Sequence, residues 1–265
     1  MTQEPMLDRV DLRAKLAEAP LKLKPYDQVD LDAECSLMTE PGWMFDMLFQ
    51  LEGLMWGRWP YWMEAWAKID VPEGPIPQLD FVSTPHPFVV KMINHTIECC
   101  FHGTVDRYRA FRWLVEWLKW SLGSSPTKPD LPNPDIPSDK IAYQVFQLDP
   151  MILYPYDYLG HWLAEAGHGK SGTAFFPTPM GVTDLMGQMV FDRGDIDKVS
   201  KVLDPAVGTG RTLLLASNYS LRLYAQDIDQ MVLDCLAVNF MMYAPWGARP
   251  LPSHVYGDED SFEEE

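Results

Sequence analysis

Val199-Ser-Lys-Val-Leu-Asp-Pro-Ala-Val-Gly-Thr-Gly210 is the stretch on which the fold turns. A short β-type run, Val199 to Leu203, ends in Asp204 and a glycine-containing turn, and Arg211 to Ser217 reads as helix. Gly208 and Gly210 let main chain approach a ligand where a Cβ would collide. A second β-type run, Leu221 to Gln226, ends in Asp227. It lies one helix plus one strand beyond Asp204, as a βαβ unit requires. In open α/β sheets ligands bind just beyond the carboxyl ends of strands. A carboxylate at such an end can accept both hydroxyl hydrogens of a ribose. Met231 to Met242 reads as the next helix, and His254 to Tyr256 as a third strand ending at Gly257-Asp258. The C-terminal part is therefore expected to be α/β.

Upstream, Gly169-Lys-Ser-Gly-Thr-Ala-Phe-Phe-Pro-Thr-Pro179 leads into an apolar period of Val182, Leu185, Met186, Met189 and Val190. Thr178 suits a helix N-cap, and Pro179 suits the first turn. The loop would then deliver its last residues to the positive end of a helix, where a carboxylate ligand is favoured. Ile141 to Ala166 reads as helical, with a break near Pro150 to Pro155. Gly123 to Lys140 holds five prolines and few apolar residues, the pattern of an extended linker. The expected organisation is a mainly helical Trp-rich region over 1–122, a Pro-rich linker over 123–140, and a ligand-binding domain over 141–265.

Within the first region, residues 7–19 read as a short amphipathic helix. Trp43 to Ile69 carries Trp43, Phe45, Phe49, Trp56, Trp59, Trp62 and Trp66, with Gly53, Gly57 and Pro60 interrupting the helical period, so two helices are expected. Such a stripe can stack on nucleic-acid bases. With few basic residues nearby, a helical core or a partner interface fits better. Residues 70–87 are Pro-rich and loop-like, and a long helical segment from Phe88 to Leu122 follows, breaking near Gly103. His95, Cys99, Cys100 and His102 lie close together there, but a helix sends Cys100 and His102 away from the face of His95 and Cys99. Packed thiols are expected rather than a metal site.

The hydrophobic fraction of 47% and the 12% aromatics are those of a chain that folds on a core. No apolar run approaches the roughly 18 residues of a membrane span. Four cysteines without framework spacing suggest a reduced, cytoplasmic setting. The net charge is −17, with 14 basic against 21 acidic residues in 1–140 and 7 against 17 in 141–265. An independent DNA binder usually shows a basic face. The best local cluster is Arg107, Arg109, Arg112 and Lys119 on one helix.

Phe175-Phe-Pro-Thr-Pro179, Asp204-Pro-Ala-Val-Gly-Thr-Gly210 and Tyr224-Ala-Gln-Asp-Ile-Asp229 resemble successive cofactor motifs of adenine-N6 DNA methyltransferases, closest to modification subunits of type I restriction systems. Asp157-Tyr-Leu-Gly160 before the loop is also similar. The resemblance covers about residues 155–258. It implies a Rossmann-like S-adenosylmethionine-dependent methyltransferase sheet, truncated at its C-terminal side and preceded by a mainly α-helical region. It further implies S-adenosylmethionine as cofactor. Phe176 and Thr178 would line its methionine end, and Asp204, Ala206, Gly208 and Gly210 would wrap the methionine and sulfonium. Asp227 would hold the ribose, Ile228 would lie against the adenine, and Asp258 would sit near the adenine amino group. The competing reading is another nucleotide-binding α/β domain. A dinucleotide site prefers Gly-x-Gly-x-x-Gly, and Leu213 occupies the third glycine position.

The family's catalytic Asn-Pro-Pro-aromatic motif, which accepts both N–H bonds of the target amine and stacks on the flipped base, is absent. Asn133-Pro-Asp135 and Asp149-Pro-Met151 are the nearest sequences, and both lack the second proline and the aromatic. Only Glu259 to Glu265 follow Asp258, an acidic tail that reads more as a solvated end than as a cut through a strand. The expectation is a cofactor-binding component that needs a protein partner for catalysis or DNA recognition and meets DNA only through it. A naturally truncated relative, or an N-terminal piece of a longer enzyme, would also lack the motif. The alternative function is a non-catalytic protein acting through protein–protein contacts in a restriction or anti-restriction setting.

Overall fold

The computed structural model describes residues 18–101, 106–167, 175–191 and 197–256. The helix expected over 7–19, apart from its last two residues, lies outside the described residues, as do His102, Gly103 and Asp258. The Trp-rich stretch forms two helices, α1 (Phe45–Met55) and α2 (Arg58–Lys68). They are separated at Gly57, whose φ of +79° only glycine adopts without strain. The long segment divides into α3 (Pro87–Phe101) and α4 (Arg107–Ser121). After the Pro-rich stretch come α5 (Ser138–Val145), α6 (Asp149–Leu153) and α7 (Tyr158–Glu165), and then α8 (Met180–Phe191). The β-type runs give β1 (Lys201–Asp204) and β2 (Arg222–Ala225), joined by α9 (Arg211–Ala216). Helices α10 (Gln230–Tyr243) and α11 (Pro245–Ala248) complete the order.

Among the described residues the expected Rossmann-like methyltransferase sheet is not present. Among the described residues the only sheet is the parallel pair β1–β2, with Asp204 opposite Ala225, and the chain is mostly helical. The expected third strand is instead a 3-10 turn over Ser253–Tyr256. The amide of Val255 donates to the Pro252 carbonyl, and the Tyr256 hydroxyl donates to the Leu221 carbonyl beside β2. Three residues after Pro252 close locally more readily than they extend a ladder.

Two four-residue strands cannot bury a core of their own, and the helical body does that work. Arg58, fully buried, reaches from the start of α2 to the C-terminal half. It donates to the Tyr243 carbonyl (2.6 Å), to the Ser217 carbonyl (2.5 Å) and to Ser217 Oγ (2.8 Å). Its guanidinium lies 4.3 Å from the Trp246 ring centroid. Trp59 and Trp62 donate their indole N–H to the carbonyls of Met241 and Arg249. Glu52 accepts from the amides of Arg58 and Trp59, 2.8 Å each, which satisfies two otherwise orphaned donors at the start of α2. One hydrophobic cluster thus runs from the Trp-rich helices through α10. Leu131 and Ile136 of the Pro-rich stretch pack against it.

Burial pushes the hydroxyls of Tyr61 and Tyr256 up to about 12, and those of Tyr158 and Tyr243 upward too. An unfolded tyrosine ionises near pH 10. The contribution of these four groups is therefore complete below that pH and drains away as pH rises toward their folded values. Arg58 acts with the opposite sign, because burial lowers it to about 9 and the folded form sheds its proton first. The raised tyrosines outnumber it, so denaturant titrations should show the chain less stable at pH 11 than at pH 9. Constant stability over that interval would contradict the packing described.

Among the described residues no helix is long and apolar enough to cross a membrane. All four cysteines are free thiols. Cys99 Sγ lies 3.4 Å from His95 Nε2, which also meets the Lys24 carbonyl at 2.8 Å, and Cys100 donates to the Ser138 carbonyl. Burial raises the Cys99 thiol to about 11.

Candidate functional site

The turn after β1 and the end of β2 open on one cleft of about 250 Å³. Its walls include Phe175, Phe176, Thr178, Asp204, Ala206, Gly208, Arg211, Asp227 and Ile228. Phe176, Thr178, Asp204, Ala206, Gly208, Asp227 and Ile228, all expected at a ligand from the sequence, therefore line a single space. Asp204 accepts from the Ala206 amide at Oδ1 (3.0 Å) and from Thr212 Oγ1 at Oδ2. Asp227 accepts from the Gly208 amide at Oδ2 (2.8 Å) and from the Asp229 amide at Oδ1 (3.0 Å). Each carboxylate oxygen keeps a further lone-pair site for a ligand hydroxyl or ammonium.

The two glycines of the turn do different work. Gly208, φ +55°, faces the cleft, and a Cβ there would come 3.2 Å from the Phe175 ring. Gly210, φ +97°, does not line the cleft. A Cβ on it would meet Leu236 Cδ1 of α10 at 2.3 Å, so its role is to let the turn pack against that helix. Phe176 and Ile228 stand at the mouth as apolar flanks, 83% and 102% exposed. Helix α8 starts at Met180, one residue later than a Thr178 cap would give, and the Pro179 carbonyl accepts from the Val182 and Thr183 amides.

The group that holds the cleft in shape lies in the Asp157–Gly160 motif, to which reading the sequence alone assigned no structural role. Asp157, fully buried, caps α7 by accepting from the Gly160 amide at 2.8 Å. The same carboxylate accepts from Thr209 Oγ1 (2.6 Å), Arg211 Nε (2.8 Å) and Asn239 Nδ2 (2.9 Å). Asn239 also donates to the Thr209 carbonyl at 2.9 Å. Arg211 continues outward, its Nη1 donating to the Thr178 carbonyl at 3.0 Å. One buried acid thus fixes the glycine turn from beneath, and through Arg211 it fixes the Phe175–Pro179 loop over the cleft. A visible signal was the spacing of Asp157 and Gly160, an acidic cap with a small residue at the capped amide. A Cβ on Gly160 would sit 2.1 Å from Asp157 Oδ2 and 2.2 Å from Thr209 Oγ1.

Arg211 and Asp157 neutralise each other, so Asp204 and Asp227 leave the cleft with an excess of negative charge. This favours a ligand bearing cationic groups beside hydroxyls. Asn133 and Asp149 do not line it. Asn133 shapes a turn by accepting from the Asp135 amide, and Asp149 with Pro150 begins α6. The basic cluster on α4 is partly neutralised, since Arg112 pairs with Glu116 at 3.0 Å and Lys119 with Asp234 at 2.5 Å. Among the described residues no group of three or more His, Cys, Asp and Glu side chains converges as a metal site.

No family model, curated protein or solved structure matches the chain. Function must therefore be sought in the cleft itself and in the motifs that build it.

Proposed function

We propose that the cleft binds S-adenosylmethionine and that the chain is the cofactor-binding component of an adenine-N6 DNA methyltransferase-like system. The observation carrying this reading is that Asp204 and Asp227, from two adjacent strand ends, face one space across a glycine turn. S-adenosylmethionine carries an ammonium, a sulfonium and two ribose hydroxyls, which suit two carboxylates. Its adenine needs an apolar flank, which Ile228 offers, and Phe176 offers one to the methionine end. Asp227 would take the ribose hydroxyls, the Asp204–Gly210 turn the methionyl part, and Thr178 the methionine end under the loop.

When bound, the cofactor supplies an electrophilic methyl group. The chain's own residues bind and orient it, and the Asn-Pro-Pro-aromatic motif that would accept both N–H bonds of an adenine amine while stacking on the base is absent from the sequence. Methyl transfer then requires a partner polypeptide that brings the acceptor site and the contacts to DNA. The strongly acidic charge fits a component that leaves phosphate binding to its partner. A second reading, a non-catalytic protein acting through protein contacts, is favoured by the apolar side chains that α8 and the β1–β2 pair leave exposed.

Calorimetric titration with S-adenosylmethionine separates the two readings. The expected result is binding at about 10 μM. Asp227→Ala should weaken it at least about 100-fold, because two charge-assisted hydrogen bonds are lost. An unchanged melting curve for the variant would show that the loss is local. Absence of binding by the intact chain would favour the second reading. Methyl transfer to DNA by the purified chain alone would refute the need for a partner.

A further inference from the structure

Strand β2 has one edge paired with β1 and the other open beside a groove. In a parallel ladder alternate residues turn their main-chain groups toward the partner strand. On β2 this is Tyr224, and past the strand the Gln226 amide donates to the Asp204 carbonyl at 3.0 Å. Leu223 and Ala225 therefore turn their N–H and C=O groups the other way, where no described residue meets them. On that side a groove of about 450 Å³ lies between β2, α10 and α11. Leu236 and Phe240 of α10 give it an apolar floor, and Ala237, Gly247 and Ala248 leave room above it. None of the residues lining it is charged.

We infer that an extended segment of a partner polypeptide adds to this edge as a further strand, its alternate apolar side chains filling the groove. Two features together specify that occupant. A row of unpaired N–H and C=O groups is a template for another main chain, and small uncharged walls beside it admit apolar side chains. Exposed edges are normally blunted by proline, lysine or a bulge. β2 has none of these, and its one charged residue, Arg222, is 8% exposed with its guanidinium 4.6 Å from the Tyr256 ring centroid. The open edge of β1, by contrast, begins at the exposed Lys201.

The chain itself is a poor source for that strand. Residues 257–265 carry six acidic side chains in nine, so a strand made of them would turn carboxylates into the groove whichever way it lay. Burying a carboxylate there, with nothing to pair it, is costly. A second copy holds its own β2 within the same kind of groove, and two recessed edges cannot meet. Its net charge of −17 also repels a copy and attracts a segment with basic flanks. The groove shares no residue with the cleft, so strand addition does not depend on what the cleft binds. Only the identification of this segment with the methylating partner rests on the reading above.

Amide exchange followed by NMR on the full chain tests it, with and without a synthetic peptide of alternating valine and threonine flanked by lysines. No S-adenosylmethionine is added, so the outcome stands apart from that of the cofactor titration. In the free chain the Leu223 and Ala225 amides should exchange fast, while the Tyr224 amide is protected by β1. The peptide should bind at about 100 μM or tighter and slow both edge amides at least about 10-fold. A proline at its centre removes a ladder donor and should weaken it at least about 10-fold. Ala237→Trp fills the groove and should do the same, again by at least about 10-fold. If that variant melts lower, Ser124→Trp at the exposed rim supplies the comparison. Edge amides already protected in the free chain would mean that the chain covers its own edge, which overturns the proposal. So would a peptide that fails to bind, or one whose binding survives the proline and the groove substitution undiminished.

Discussion

Asp157→Ala is expected to lower stability by about 3–5 kcal/mol, the cost of stranding a buried charge whose partner is removed. Arg211, 7% exposed, would lose its counter-ion, and Thr209, Asn239 and the Gly160 amide would lose their acceptor together. For a chain of this length that corresponds to a fall of roughly 10 °C in the melting midpoint followed by circular dichroism. Asp157→Asn refines the test. All four partners donate, and only a carboxylate accepts on both oxygens. The amide would turn two hydrogens toward existing donors. Asn should therefore recover little of what Ala loses, although it keeps the shape. A midpoint for Asn close to wild type would mean that the site needs only volume there. Release of Arg211 also frees the Thr178 carbonyl, so both variants should weaken ligand binding in the cleft beyond their effect on folding.

Arg58→Ala is expected to cost a similar amount, about 3–5 kcal/mol, for a different reason. The guanidinium is the tie between α2 and the C-terminal half, satisfying the Ser217 and Tyr243 carbonyls while lying against Trp246. Its removal leaves two buried carbonyls without a donor and a cavity beside the ring. Lysine should not rescue it, because one ammonium cannot span two carbonyls and a hydroxyl while stacking on an indole. Equilibrium urea unfolding would show the loss as a lower midpoint. An unfolding free energy within about 0.5 kcal/mol of wild type, the range expected of a surface substitution, would dismiss the tie.

Much of the cleft could be read from residue order alone. A strand ending in acid, a glycine turn, a helix and a second strand running toward an acid are local patterns, set by backbone preferences over a few residues. Each formed near its expected place, with the strands shortened to Lys201–Asp204 and Arg222–Ala225 so that Asp227 lies two residues past its strand. The loop Phe175–Pro179 was legible for the same reason, with its helix beginning one residue late. Asp157 was not legible as the hub, because its four partners come from positions 160 to 239 and only folding brings them together. Gly210 was misplaced for a related reason. A glycine in a turn looks the same whether it opens toward a ligand or toward a neighbouring helix, and Leu236 decided between them.

The apolar period of α8 marks the other limit. Periodicity reveals that a helix has a face needing cover, and it says nothing about which molecule covers it. The third strand failed because three residues behind a proline have no ladder preference strong enough to beat a local turn, and among the described residues the sheet has two strands. Neighbouring residues were enough to set the short-range pieces: helix limits, the βαβ turn and the two strand-end carboxylates. How those pieces close on each other was settled only by packing, since the buried charges of Arg58 and Asp157 take their meaning from acceptors and donors far away along the chain.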